Sequence, residues 1–225
     1  MNLIKSIDYL NPDDVKGRCH IIGCGSVGSS VAELIARLGI TKISLYDFDT
    51  VSSHNLANQM FFAEDVNKKK VDVVADMICK INPEAKADIQ IFEDGWVRGK
   101  TRLNGFVFLC VDNIDVRREI VEDNMMNLSI KGVFDFRTRL EDAQHYAANW
   151  AVPEDRKNLL STMQFSHEEA KEETPVTACN VEIGVAPTVR IICAVGVANF
   201  MNFVRGKELK HIILSDAFGF TMDVI

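Results

Sequence analysis

Short apolar runs alternate with amphipathic stretches through the first half of the chain. The run Cys19–Ile22 ends in Gly23, Gly25 and Gly28, and Val27, Val31, Leu34, Ile35 and Leu38 follow at helical spacing. This pattern predicts a strand, a tight glycine turn and a helix over 26–38 that Gly39 stops. Ile43–Tyr46 is a second apolar strand. Residues 50–64 are rich in Ser, His and Asn without a clean period, which predicts a loop or short helical turn at the strand's carboxyl end. From Asp65, Val66, Val73, Val74, Met77, Ile78 and Ile81 fall on or near one helical face, and Asn82-Pro83 ends it. A third strand is expected at 87–92. The run FVFLCV at 106–111, between Gly105 and Asp112, reads as a strand buried on both faces of a parallel sheet, with a helix behind it over 114–128.

The second half is patterned differently. A strand over 132–136 and alternation over 143–152 predict an antiparallel pair. Residues 153–175 are polar and charged and read as a loop, part of a mobile crossover expected over 153–178. The apolar stretch 179–204 predicts a long buried helix, interrupted or begun near Pro187, and short strands at 210–214 and 218–223 finish the chain. The fold class that follows is α/β: a Rossmann-like, doubly wound, mainly parallel sheet with antiparallel strands toward the C-terminus, in one domain over 1–225. Its ligand is expected at the carboxyl ends of the strands.

Composition narrows the function. A chain of 225 residues, 47% hydrophobic and 25% charged, can bury a full core without staples. The net charge of −7 argues against general affinity for nucleic acid or an anionic membrane. Six cysteines are scattered without a C-x-x-C pair, so neither a disulfide framework nor a structural zinc is predicted. The N-terminal stretch lacks the pattern of a signal peptide, and no membrane span is expected; a reducing cytoplasm fits.

The glycines stand in the order G-x-G-x-x-G between strand and helix, where backbone N–H groups can approach a phosphate closely. Asp47, about twenty residues on and just behind the second strand, stands where an acid can hydrogen-bond a ribose hydroxyl. Together they predict a nucleotide site. Asp112 follows a buried strand, where functional side chains collect in such sheets; it can equally be a helix cap. Asp47 can also be only a turn residue, and Lys70, beside Lys68 and Lys69, can belong to a solvated helix face.

The ordered set D-F-D-T-V-S-x-x-N-L-x-x-Q over 47–59, Asp65-Val66 with Lys70-Val71, Ile81-Asn82-Pro83, C-V-D-N-I-D-V-R over 110–117 and T-A-C-N-V-E-I-G-V-A-P over 177–187 resembles the ThiF/MoeB/HesA family, relatives of ubiquitin-activating enzymes. The resemblance covers about residues 16–204. It implies ATP- and magnesium-dependent adenylation of the C-terminal carboxylate of a small ubiquitin-like or sulfur-carrier protein ending in glycine, by a homodimer. Gly23, Gly25 and Gly28 would then lie against phosphates or adenosine, Asp47 against ribose, and Asn55 and Lys70 against the triphosphate. Asp49, Asn58, Gln59, Asn113 and Arg117 complete the implied nucleotide contacts. Asp112 would hold the metal, and Asp112, Lys70 and Cys179 form the implied catalytic set. Such chemistry needs charge neutralisation more than covalent help, which a lysine, a carboxylate-bound magnesium and backbone donors supply.

The resemblance implies that Cys179 takes the activated carboxylate as a thioester or passes sulfur as an acyl disulfide, and an expected helix N-terminus behind it would lower the thiol's pKa; it can also be a buried residue with no part in the reaction. Cys19, Cys24, Cys110 and Cys193 lie in apolar runs and read as core, whereas His54, His145 and His167 have no partner by spacing.

Three departures from the family stand out. Asn58 occupies the position where an arginine usually precedes the glutamine, the leader lacks the family's N-terminal arginine, and the paired C-x-x-C zinc motif is missing, so this is a divergent zinc-less member. Losing two cationic donors costs roughly several kcal/mol of transition-state stabilisation unless Arg18, Lys68, Lys69 or a partner replaces them. Segment 134–150 resembles divergent ThiF-like proteins. The rival readings are a catalytically impaired nucleotide-binding subunit, and a related enzyme acting on a tRNA or small-molecule carboxylate. A dehydrogenase shares the glycine turn but explains neither Asp112-Asn113 nor the run from Asn55 to Gln59.

Overall fold

Strands Cys19–Ile22 (β1), Ile43–Tyr46 (β2) and Gly105–Leu109 (β4) are buried at every position, the mark of strands covered on both faces. The computed structural model describes residues 1–172 and 184–225. With Gln90–Phe92 (β3), Ile130–Thr138 (β5), Asp142–Asn149 (β6), Ile212–Asp216 (β7) and Thr221–Val224 (β8), these strands form one sheet in the order β3-β2-β1-β4-β5-β6-β7-β8. Pairing is parallel from β3 to β5 and antiparallel from β5 to β8. The chain order reverses between β1 and β4. Their carboxyl ends therefore bound a crevice at the topological switch point, where such sheets bind ligands.

Two apolar layers cover the sheet. Ser26–Arg37 (α1), Lys70–Ile81 (α2) and Ala186–Val204 (α6) close over Ile21, Leu45, Phe108 and Phe134. Phe200 of α6 meets Phe106, Phe108 and Phe134 edge-on, with ring centroids 5.1 to 5.4 Å apart. On the other face, Ile114–Asp123 (α3) and Pro153–Ser161 (α4) cover Ile22, Val107 and Leu109, with Trp150 fully buried between them. By length and composition α6 alone among the described helices is apolar enough to cross a membrane. Its long apolar face is accounted for by packing on α1, β5 and β6.

The strands and main helices stand close to where periodicity puts them, and the differences have local causes. Helix α2 begins at Lys70 rather than Asp65. Asp65 turns inward to accept from the Phe62 amide (3.0 Å) and pair with Lys68 (3.0 Å), Asn67 takes a left-handed conformation (φ 72°), and Thr50 bridges Lys69. Helix α3 stops at Asp123 rather than 128. The buried Asn124 side chain donates to the Ile120 carbonyl, the Asn124 carbonyl accepts from the Trp150 indole, and Met126 and Leu128 have no apolar face to join. The described part, 153–172, of the loop expected over 153–175 is largely helical: α4 is followed by His167–Glu172 (α5), and 173–178 of the expected crossover lie outside the described residues. Pro153 and two acids open α4, which fully buries only Leu159 and Arg156, too few to register as a period. The last helix begins at Ala186; residues 179–183 lie outside the described set.

Candidate nucleotide site

Three glycines shape the turn behind β1 for different reasons. Gly23 has φ +94°, and a Cβ there would lie 2.7 Å from the Cys110 backbone of the neighbouring strand's exit. A Cβ on Gly28 would lie 1.8 Å from the Gly23 carbonyl oxygen, so this glycine lets α1 approach the turn. Gly25 caps α1, and the nearest atom to a Cβ there is Gln59 Oε1, 3.9 Å away. The first two glycines serve packing; the third leaves room beside the first turn of a helix, where free N–H groups and the helix dipole favour an anion.

Asp47 ties β2 to that turn. One carboxylate oxygen accepts from the Cys24 amide (2.6 Å), the other from the Asp49 amide (2.9 Å). Asp49 in turn accepts from the Lys70 ammonium at 2.8 Å, and the Lys70 amide donates to the Asp49 carbonyl (3.0 Å). Lys70 is therefore no solvated lysine: its side chain is 9% exposed, while that of Asp49 is 50% exposed. Asn55 is buried and accepts from the Ser52 amide (2.9 Å) in a capping box over Ser53–Ala57. Gln59 presents a buried Oε1 with no partner among the described residues, and Asn58 donates to the Gly184 carbonyl (3.3 Å) at the approach to α6.

On the far side of the crevice, Asn113 caps α3, accepting from the Asp115 and Val116 amides at 2.9 and 3.3 Å. The cap is Asn113, so Asp112 is left exposed, with no hydrogen bond or ion pair among the described residues. Arg117 lies beneath, buried, donating to the carbonyls of Leu109 (3.2 Å) and Val111 and pairing with Asp135. Its guanidinium thus braces the Asp112 loop from inside the fold. Asp135, fully buried, also accepts from Arg137 (2.7 Å), which reaches the Thr162 carbonyl (2.9 Å). Burial pushes the Asp135 carboxyl up, but Arg117 and Arg137 outweigh it and hold the group below its ordinary value.

Glycine turn, Asp47, Asp49, Lys70, Gln59 and the Cys110 backbone are thereby linked around one crevice, with Asn58 at its rim. Cys179 lies outside the described residues. Burial makes Cys19, Cys24, Cys110 and Cys193 core thiols, each with its pKa raised, that of Cys193 to about 12. Arg18 cannot supply a missing cation, because it lies at the amino end of β1 and donates to the carbonyls of Ile43 (3.0 Å) and Asp88 (2.7 Å). Lys68 is paired with Asp65 and Lys69 donates to the Phe48 carbonyl (3.1 Å). Asp135 escapes sequence reasoning although a signal exists: an acid between two phenylalanines of a buried strand needs a cationic partner. Among the described residues no cluster of three or more His, Cys, Asp or Glu could hold a metal by itself.

Comparison with known proteins places this architecture. The family model described as "ThiF family" matches residues 15–221. Ubiquitin-like modifier-activating enzyme 5 of Drosophila persimilis is 30% identical over 137 residues, covering 53% of this chain and 34% of that protein. Molybdopterin-synthase adenylyltransferase of Escherichia coli is 28% identical over 122 residues, covering 52% of this chain and 49% of that protein. The chain thus spans between a third and a half of these two relatives. Among solved structures, E. coli MccB with MccA superposes with a TM-score of 0.71 at 18% identity, and E. coli MccB with ATP with 0.67 at 18%, each over 95% of this chain and 65% of MccB. At that identity the likeness is one of fold. The family match covers nearly the whole sequence, and the chain belongs to the ThiF family.

Proposed function

We propose that this chain adenylates a carboxylate with ATP, its substrate being the C-terminus of a small ubiquitin-like or sulfur-carrier protein, or of a peptide, that ends in glycine. The observation that carries the reading is the crevice at the β1–β4 switch point. Gly25, open to a ligand, and Asp112, exposed and unpartnered among the described residues, follow the carboxyl ends of the neighbouring strands β1 and β4, and Lys70 is tied through Asp49 and Asp47 to the Cys24 amide of the same turn. The unpartnered Gln59 Oε1 beside Gly25 offers an acceptor to a ligand.

In this reading the amides at the start of α1 receive phosphate oxygens, and Asp47, held by its own backbone bonds, faces the ribose. Lys70 leaves or shares Asp49 to neutralise the triphosphate. Asp112 suits magnesium, an ion that is held by one or two carboxylates together with substrate phosphates and water rather than by an all-protein cage. The metal would supply charge neutralisation. A carboxylate oxygen of the substrate bonds to the α-phosphorus, the bond from that phosphorus to the bridging oxygen breaks, and pyrophosphate leaves. Cys179, outside the described residues, is the candidate thiolate that would attack the acyl carbon and release AMP. Asn113 and Arg117 support the site by holding the loop on which Asp112 stands. By family analogy the active form is a homodimer, and the scattered cysteines fit a reducing cytoplasm.

ATP–pyrophosphate exchange with purified protein, magnesium and candidate Gly-ending carriers tests the reading. Carrier-dependent exchange that vanishes in Asp112→Ala is expected. Nucleotide binding without exchange for any carrier would favour the second reading, an impaired nucleotide-binding subunit, which the use of Asn58 to hold Gly184 instead of presenting a charge supports.

A further inference from the structure

Arg190 stands in an unfavourable place for a cation. It lies in the second turn of α6, half-buried, and its partner is the Ser30 hydroxyl at 2.5 Å. That hydroxyl already donates to the Ser26 carbonyl (2.6 Å), and no carboxylate faces Arg190 among the described residues. Helices α1 and α6 run parallel: Thr188 at the start of α6 reaches the Leu140 carbonyl in the β5–β6 turn (2.8 Å), while Phe203 near its end packs on Phe106 at the other end of the sheet. Both positive helix ends therefore lie at the carboxyl edge of the sheet, and a guanidinium beside them raises the local potential further.

The level of Arg190 along α1 follows from its neighbour. Cys193 donates to the Val27 carbonyl at 3.6 Å and touches the Ser30 hydroxyl, so that turn of α6 lies level with Ser30. Arg190 is three residues nearer the helix start, about 4.5 Å up the axis at 1.5 Å per residue, level with the first turn of α1. Its guanidinium meets Ser30 below that level, so the side chain runs against the lean of helical side chains toward the N-terminus. A side chain released from Ser30 and following that ordinary lean would extend toward the start of α1 and its glycine turn. The Asn58–Gly184 bond pins the approach to α6 to the same rim.

We propose that Arg190 is a phosphate-binding residue: it leaves Ser30 and contacts the outer phosphates of the nucleotide bound at the Gly25 turn, supplying there a positive charge that Lys68, Lys69 and Arg18 do not. The inference rests on the ATP site proposed above. The test is calorimetric affinity for ATP and for AMP in wild type, Arg190→Ala, Arg190→Gln and Arg190→Lys, with thermal melting of each free protein. Arg190→Gln keeps a donor for Ser30 and guards against a folding defect in the alanine variant. Expected is a loss of ATP affinity of about tenfold or more in the alanine and glutamine variants, with AMP affinity unchanged and partial recovery in the lysine variant. Wild-type ATP affinity in both variants, or equal loss of AMP and ATP, would overturn the role of Arg190 while leaving the ATP site standing. A wild-type protein that binds neither nucleotide would sink the ATP site itself, and this proposal with it.

Discussion

Arg117 and Asp135 form a buried ion pair whose cation also carries the Val111 carbonyl, one residue ahead of Asp112. The arrangement makes the position of an exposed carboxylate depend on charges inside the fold. Removing one member of such a pair leaves the other buried and uncompensated, at a cost of roughly 3–5 kcal/mol. Asp135→Ala, which strands both Arg117 and Arg137, is therefore expected to lower the urea unfolding free energy by about that much. An unchanged unfolding midpoint would mean that water or a rearranged side chain satisfies both guanidiniums.

The glycines separate fold from ligand. Gly28→Ala would drive a methyl group into the Gly23 carbonyl, and the atoms it meets are backbone, so nothing flexible can yield. A loss of several kcal/mol, of the order seen for overpacking or worse, is expected, with little soluble protein. Gly25→Ala meets nothing closer than ordinary contact distance and is expected to keep stability within about 1 kcal/mol. In the proposed site it nonetheless fills the space a phosphate would enter. Circular-dichroism melting alongside ATP titration distinguishes the two; equal damage to fold and binding in Gly25→Ala would count against the site.

Much of this arrangement is legible in the sequence because it is local. The buried runs Cys19–Ile22 and Gly105–Leu109, the glycine order and the helical spacing of Val27, Val31 and Ile35 each declare themselves within a few residues. What stays hidden is set by partners far along the chain. Lys70 looks like one of three solvated lysines until Asp49, 21 residues earlier, is found against it. Arg117 reads as a nucleotide contact, and only the fold brings Asp135 beneath it. Helix α4 is invisible because its fully buried side chains are just Arg156 and Leu159, one of them charged and turned onto Trp150. Arg190 gives no signal at all, since nothing in an apolar helix marks one arginine as lying beside Ser30, 160 residues away.

Asp112 and Asn113 are adjacent and are expected to fail in opposite ways. Asn113 accepts two amide hydrogens at the start of α3, and its replacement by alanine should cost about 1 kcal/mol of stability. Asp112 is exposed and has no polar partner among the described residues, so Asp112→Ala should stay within about 0.5 kcal/mol of wild type while abolishing pyrophosphate exchange. Chemical denaturation and exchange on the same preparations check both. A large stability loss in Asp112→Ala would make it a structural residue after all.

Acid should weaken the fold well before its carboxylates protonate, and the cause is two core histidines. His145 is fully buried; its Nδ1 lies 3.1 Å from the Asp135 carbonyl and its Nε2 lies 3.2 Å from the Asn199 amide nitrogen. The carbonyl can only accept, so Nδ1 carries the proton and Nε2 accepts from Asn199, a pattern that leaves the ring neutral. Burial lowers its pKa from 6.5 to about 4, and burial does the same to His20. Above the ordinary value both folded and unfolded rings are neutral and stability is complete. Between pH 6.5 and about 4 only the unfolded chain takes up protons, so stability falls, by roughly 1.4 kcal/mol per pH unit for each histidine once well below 6.5. Asp135 does not add to this slope, because its pKa is lowered and its contribution is lost only below its ordinary value of 3.8. Urea unfolding at pH 7, 6 and 5 should show the decline, and His145→Asn, uncharged throughout, should remove about half of it even if the variant starts less stable. A wild-type midpoint that does not move between pH 7 and 5 would mean that the imidazoles titrate alike in both states.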